Sequence, residues 1–242
     1  MDVDTSIQER LLSRLWQIYG DRGQACLPSL VSLLERNQDL RPHGTAPAQL
    51  WDERDVMLIT YGDQVQSSDE TPLRSLGRFF VDYGLHRFIN TVHILPFYPY
   101  TSDDGFSVVD FQEVDPCLGS WEDIERIRQN GHLMFDLVLN HVSQKSRWFQ
   151  GYLAGDDRYR DYFIEMDPAT DLSAVTRPRN LPLLTRFETG RGPRHVWTTV
   201  SSDQIDLNYA NPAVLMDVLE TLLFYIRHGA RFIRLDAIAY LW

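Results

Sequence analysis

Two ions of opposite sign stand two residues apart in an otherwise apolar stretch, RFIRLDA at 231–237. Strand side chains alternate faces, so Phe232, Arg234 and Asp236 share one face while Ile233 and Leu235 share the other. Burying both charges on a central parallel strand is costly unless they pair or find partners. A structural ion pair meets that demand. So does a carboxylate nucleophile whose neighbouring guanidinium orients it, keeps it ionised and lowers its pKa.

The segment FDLVLNHVS raises the same question, with Asp136, Val138 and Asn140 on one face. Asn140 and His141 fall at the carboxyl end of the expected strand, where parallel α/β barrels assemble their active sites. A third outlier is the loop that contains Ser102, Asp103, Asp104, Gly105 and Phe106. Carboxylates accept hydrogen bonds from paired hydroxyls and a ring packs on the apolar face of a pyranose, so these residue types suit a sugar site. Two acids capping a turn explain the same residues.

These groups need elements to hold them. From residue 51 onward the pattern is short apolar runs alternating with helical periods: VMLITY (56–61), LRSLGRFFVDYG, TVHILPF (91–97), a helix opening at Ser120, and MFDLVLNH (134–141). Strand, helix, strand in that order predicts βα units and a parallel sheet, whose strands are buried on both faces and read as nearly continuous apolar runs. Residues 143–208 break the rhythm, being loop-rich and full of aromatics, Arg and Pro, and are expected to form an inserted subdomain. Asn211 and Pro212 then open a helix from 213 to about 228, closed by Gly229, before the strand of Arg234 and Asp236. Ahead of the βα pattern, Ile7, Leu11, Leu15 and Ile18 mark a helix that stops at Gly20, a second short helix is expected at 28–36, and QDLRPHGTAPAQ reads as a connector. The expected divisions are a helical extension (1–50), strands one to three (51–142), the insertion (143–208), and a helix with strand four (209–242).

Composition limits the partners. Against 34 acidic side chains stand 23 basic ones, a net charge of -11, so the overall field repels nucleic acid and anionic membranes. No apolar run approaches the roughly 18 residues of a membrane span, and the acidic start MDVDTSIQER lacks a secretory pattern, which predicts a cytoplasmic protein. Cys26 and Cys117 are far apart without a CxxC motif, so neither a disulfide framework nor a zinc knuckle is expected.

Three segments together, SDDGFSVVDFQEVDP, DLVLNHVS and RFIRLDAIAYLW, resemble the sucrose phosphorylase branch of the α-amylase superfamily, glycoside hydrolase family thirteen. The RPRNLPLLTRFET and RHVWTTVSSDQIDLN segments fit as well, so the likeness runs from 56 to 242, and the helical extension and YPYTSDDGFS wording lie nearer to glucosylglycerate phosphorylases. The resemblance implies a (β/α)8 TIM barrel, of which this chain supplies about four βα units. It makes Asp236 the nucleophile and Arg234 its support, Asp103 the holder of glucosyl hydroxyls, and Phe106 the platform under the ring. His141 would bond the glucosyl 6-hydroxyl with Asp136 and Asn140 as supporting neighbours, and Tyr240 would stand on the acceptor side.

The reaction so implied is a retaining double displacement from an α-glucoside to inorganic phosphate, giving α-glucose 1-phosphate, without cofactor or metal, although the hydrolytic amylases often bind calcium at the position of Asn140. The glutamate acid/base and the stabilising aspartate belong to later strands and are expected to be absent, leaving an inactive front half of an enzyme. Two other readings compete: a hydrolase or transglucosidase such as an amylosucrase-like protein, and a non-catalytic glucoside-binding half-barrel.

Overall fold

The computed structural model describes residues 4–41, 51–176 and 178–241. The expected connector therefore lies mostly outside the described residues, as does Trp242.

Helices α1 (Thr5–Tyr19) and α2 (Asp21–Arg36) form an antiparallel hairpin about Gly20. Asp4 caps α1 by accepting from the amide of Ser6 at 2.7 Å. Gly23 permits the close approach, because a Cβ there would stand 2.4 Å from the carbonyl oxygen of Leu15. The second helix is longer than expected, starting at Asp21 rather than residue 28, with Pro28 in its interior. An interior proline removes a backbone bond, at about 3 kcal/mol. Burial of Leu30 against Leu15 and Tyr19, with Leu215, Met216 and Leu219 packed on them, supplies the compensation.

The barrel pattern folds as four parallel strands, β1 (Met57–Thr60), β2 (Thr91–Ile94), β3 (His132–Val138) and, after the insertion, β8 (Ala230–Asp236). They lie in the order β1-β2-β3-β8. Between them run α3 (Pro72–Asp82), α4 (Trp121–Arg128) and α6 (Pro212–Arg227). Ser120 and Asp123 make a reciprocal capping box at α4, while Asn211 caps α6 with Pro212 at its first position. The core includes Leu76, Phe80, Ile94, Phe97, Ile124 and Phe135, and Tyr98 stacks on Tyr225 with centroids 5.2 Å apart. The helical hairpin docks on α6, where Arg227 makes a forked ion pair with Asp39 and also bonds Asn37.

The edges of this sheet are β1 and β8, and both leave apolar side chains exposed, Met57 and Ile59 on one and Leu235 on the other. The insertion holds β4 (His141–Ser143), α5 (Arg147–Ala154), the hairpin β5 (Leu184–Thr189) and β6 (Gly192–Trp197), and β7 (Gln204–Asp206), which pairs antiparallel with β4. The third barrel strand ends at Val138, two residues before Asn140, so Asn140 and His141 do not continue its alternation as expected. His141 instead opens β4, because the chain turns there to pair with Asp206 of β7. Among the described residues no helix is long and apolar enough to cross a membrane.

Candidate active site

Parallel pairing of β3 with β8 sets Asp136 beside Arg234 and Val138 beside Asp236. Asp236 is the last residue of β8, half-buried, and the chain then turns through Ala237 at φ 56° into a short 3-10 turn, Ile238–Tyr240. The guanidinium of Arg234 reaches two carboxylates. One nitrogen bonds Oδ1 of Asp136, and Nη2 lies 2.8 Å from Oδ1 of Asp236. Asp136 is fully buried, and its other oxygen, Oδ2, lies 2.6 Å from Nε2 of His93 on β2. Four ionisable side chains from three adjacent strands thus form one string.

Burial raises the Asp236 carboxyl above its ordinary value; Arg234 opposes this, while the charges of Asp136 and Asp103 add to it. The expectation that Arg234 would leave this carboxyl lowered is therefore corrected. Arg234 is shared with Asp136, so its charge does not outweigh desolvation and two neighbouring anions.

A second cluster forms where the loop after β2 meets the insertion. Asp103 and Asp104 both adopt left-handed backbone, at φ 57° and 50°, and Gly105 follows at φ 100° with no room for a Cβ, which would stand 2.6 Å from the carbonyl oxygen of Pro96. This turn is clasped from outside. Oδ2 of Asp203 accepts from the hydroxyls of Thr101 (2.6 Å), Ser102 (2.5 Å) and Ser107 (2.9 Å). So held, Asp103 accepts from Arg179 Nη2 and from Gln204 Nε2, both at 2.9 Å. Burial raises the Asp103 carboxyl and those donors more than reverse it, leaving it below its ordinary value.

His141 is buried, with Nε2 3.2 Å from the carbonyl oxygen of Phe106 and 3.1 Å from Nε2 of Gln204. Burial pushes its pKa down to about 4, so the imidazole is neutral near pH 7. Asn140 stands behind it, its Nδ2 3.4 Å from Nδ1 of His141 and its amide also on the buried Asp206. Asp136, expected beside His141, is bonded to Arg234 and His93 instead, because its strand directs it across to β8. The ring of Phe106 lies 5.5 Å from the Arg234 guanidinium carbon and so joins the two clusters. Tyr240 sits half-buried on the turn after Asp236. A cleft lined by Tyr61, Pro96, Tyr100 and Asp104 opens beside the loop. Among the described residues no group of three or more His, Cys, Asp or Glu is placed to hold a metal ion.

Sequence reasoning missed His93, Arg179 and Gln204. The alternation that isolates Arg234 and Asp236 also isolates His93 in TVHILPF, so that signal was present. Arg179 and Gln204 meet Asp103 across 76 and 101 residues, and no local pattern announces such contacts.

The alpha-amylase catalytic domain family matches residues 82–241. Glucosylglycerate phosphorylase of Allomeiothermus silvanus is 52% identical over 98% of this chain and 41% of its own length. The enzyme of the same name from Escherichia coli is 46% identical over 98% of this chain and 42% of its own length. Among solved structures, sucrose 6F-phosphate phosphorylase from Thermoanaerobacter thermosaccharolyticum superposes with a TM-score of 0.72 at 29% identity, covering 81% of this chain and 42% of that one. The chain spans about two fifths of the length of these curated relatives, matching the amino-terminal part of their barrels. It belongs to the α-amylase family, in the branch that holds the glucosylglycerate and sucrose phosphorylases.

Proposed function

We propose that this chain carries the glucosyl-binding half of the active site of a retaining α-glucosyl phosphorylase, with glucosylglycerate as its donor. One observation carries the reading: Asp236, at the carboxyl end of its strand, is oriented by Arg234 and lies close enough to Asp103 to feel its charge. The substrate class follows the names of the relatives that match nearly the whole chain.

Asp236 attacks the anomeric carbon of the α-glucoside, and the bond to the leaving oxygen breaks as that oxygen takes a proton from a carboxylic acid. A β-glucosyl ester of Asp236 results. An oxygen of inorganic phosphate then attacks the same carbon on the face the leaving group vacated, and the ester carboxylate departs, giving α-glucose 1-phosphate. The two carboxyls of such enzymes stand about 5 to 5.5 Å apart. In this reading the acid and the stabilising aspartate come from later βα units beyond the span of this chain. Asp103 and the neutral imidazole of His141 hold glucosyl hydroxyls, Phe106 packs on the ring, and Tyr240 faces the acceptor.

The test uses the complete enzyme, this chain continued through the remaining barrel units. Glucosylglycerate incubated with and without inorganic phosphate is expected to give α-glucose 1-phosphate only when phosphate is present. Free glucose released at the same rate without phosphate would make the protein a hydrolase.

A further inference from the structure

We propose that His93 is a positioning residue for glucosyl transfer: by occupying Oδ2 of Asp136 it compels Arg234 to divide its guanidinium between Asp136 and the nucleophile Asp236. The inference rests on the reaction proposed above.

A guanidinium fork facing a carboxylate ordinarily binds it with two parallel bonds. The register of β3 and β8 puts Asp136 directly beside Arg234, so that forked arrangement is the default for this pair. It is not the arrangement present. Oδ2 of Asp136 already lies 2.6 Å from Nε2 of His93, and Arg234 bonds only Oδ1, which leaves Nη2 to reach Asp236 at 2.8 Å.

Burial makes the division strict. Asp136 is 0% and His93 3% exposed, so water cannot take the place of a lost donor on that oxygen. If His93 were replaced by a group without a donor, the unsatisfied oxygen would draw the second guanidinium nitrogen to itself. Asp236 would then lose the ion pair that steadies its carboxylate. The charges facing Asp236 are Arg234 on its own strand, Asp136 on β3 and Asp103 on the loop after β2; Arg234 is the one cation among them, and with a smaller contribution from the backbone of Ala237 it favours ionisation against burial and both carboxylates. Withdrawal of Arg234 therefore moves the nucleophile's pKa further up.

The test compares two variants in the complete enzyme. His93→Phe keeps a ring and removes the donor, whereas His93→Gln keeps an N–H that can reach Asp136. For His93→Phe, the acid limb of kcat/KM against pH is expected to move up by about one unit. Its kcat should fall at least about tenfold, with KM within about threefold. His93→Gln is expected to restore the limb and most of kcat. A folded His93→Phe enzyme with the wild-type limb and kcat would overturn the proposal. If His93→Phe does not fold, His93→Gln decides: wild-type limb and kcat support the role, and a folded Gln variant with a shifted limb or a tenfold loss overturns it. Asp236→Asn in the same assay separates the two claims. An active Asn variant removes the reaction mechanism itself, whereas an inactive one beside an unaffected His93→Phe removes only the role of His93.

Discussion

Arg234 holds Asp236 by one nitrogen, Nη2 to Oδ1 at 2.8 Å, because the other end of its guanidinium is committed to Asp136. A single cation thus pairs with the proposed nucleophile and with a fully buried carboxylate. Lysine cannot do both, since an ammonium is a compact charge without the planar fork. Arg234→Lys is expected to lower kcat about 10²- to 10³-fold in the complete enzyme while preserving its thermal midpoint within a few degrees. Steady-state kinetics and a melting curve check this, and a loss under tenfold would separate Arg234 from the chemistry.

The loop cluster makes a prediction about order. Asp103→Asn removes the charged acceptor that Arg179 and Gln204 hold in place, whereas Phe106→Ala removes one ring face. Charged hydrogen bonds in a desolvated site outweigh a single stacking contact. The Asn variant should lose about a hundredfold or more in kcat/KM and the Ala variant about tenfold. Small and equal losses would reduce the loop to a capped turn.

His141 carries a pH prediction. Its folded pKa, about 4, lies below its ordinary value of 6.5, so the folded state binds fewer protons than the unfolded state between those limits. Its contribution to stability is complete above about 6.5 and is lost as pH falls towards 4, by roughly 3 kcal/mol in all. NMR titration of the imidazoles should find one, assigned to His141, still neutral at pH 5.5. A midpoint near 6.5 would contradict its burial.

Asp203 is not among the proposed substrate contacts, yet three hydroxyls that fix the Asp103 turn converge on it. Asp203→Ala should loosen that turn, raising KM for the glucoside about tenfold or more and lowering the thermal midpoint. An unchanged KM would mean that the left-handed backbone at Asp103 and Asp104 holds without the clasp.

Much of this architecture was legible in the sequence where one side chain answered to one local rule. Alternation in RFIRLDA gives the shared face of Arg234 and Asp236, and the Asn211–Pro212 pair marks the start of α6. Local rules failed where tertiary contacts outweighed them. A second helix is expected only from residue 28, but packing of Leu30 and Leu33 supports an α2 that starts at Asp21 and runs through Pro28. The apolar run to Leu139 argued for one strand reaching His141, but the chain ends it at Val138 so that His141 can pair with Asp206. The partners of Asp103 were invisible because the insertion folds back from 76 and 101 residues away.

In the proposed reaction Asp236 becomes glucosylated. The direct measurement is rapid quench of the complete enzyme with glucosylglycerate and no phosphate, followed by peptide mass spectrometry. The expected result is one added glucosyl unit on the peptide that contains Asp236, lost when phosphate is supplied and absent from Asp236→Asn, whose amide is a poor nucleophile. Full turnover by the Asn variant, or a glucosyl unit on a different carboxylate, would contradict the account.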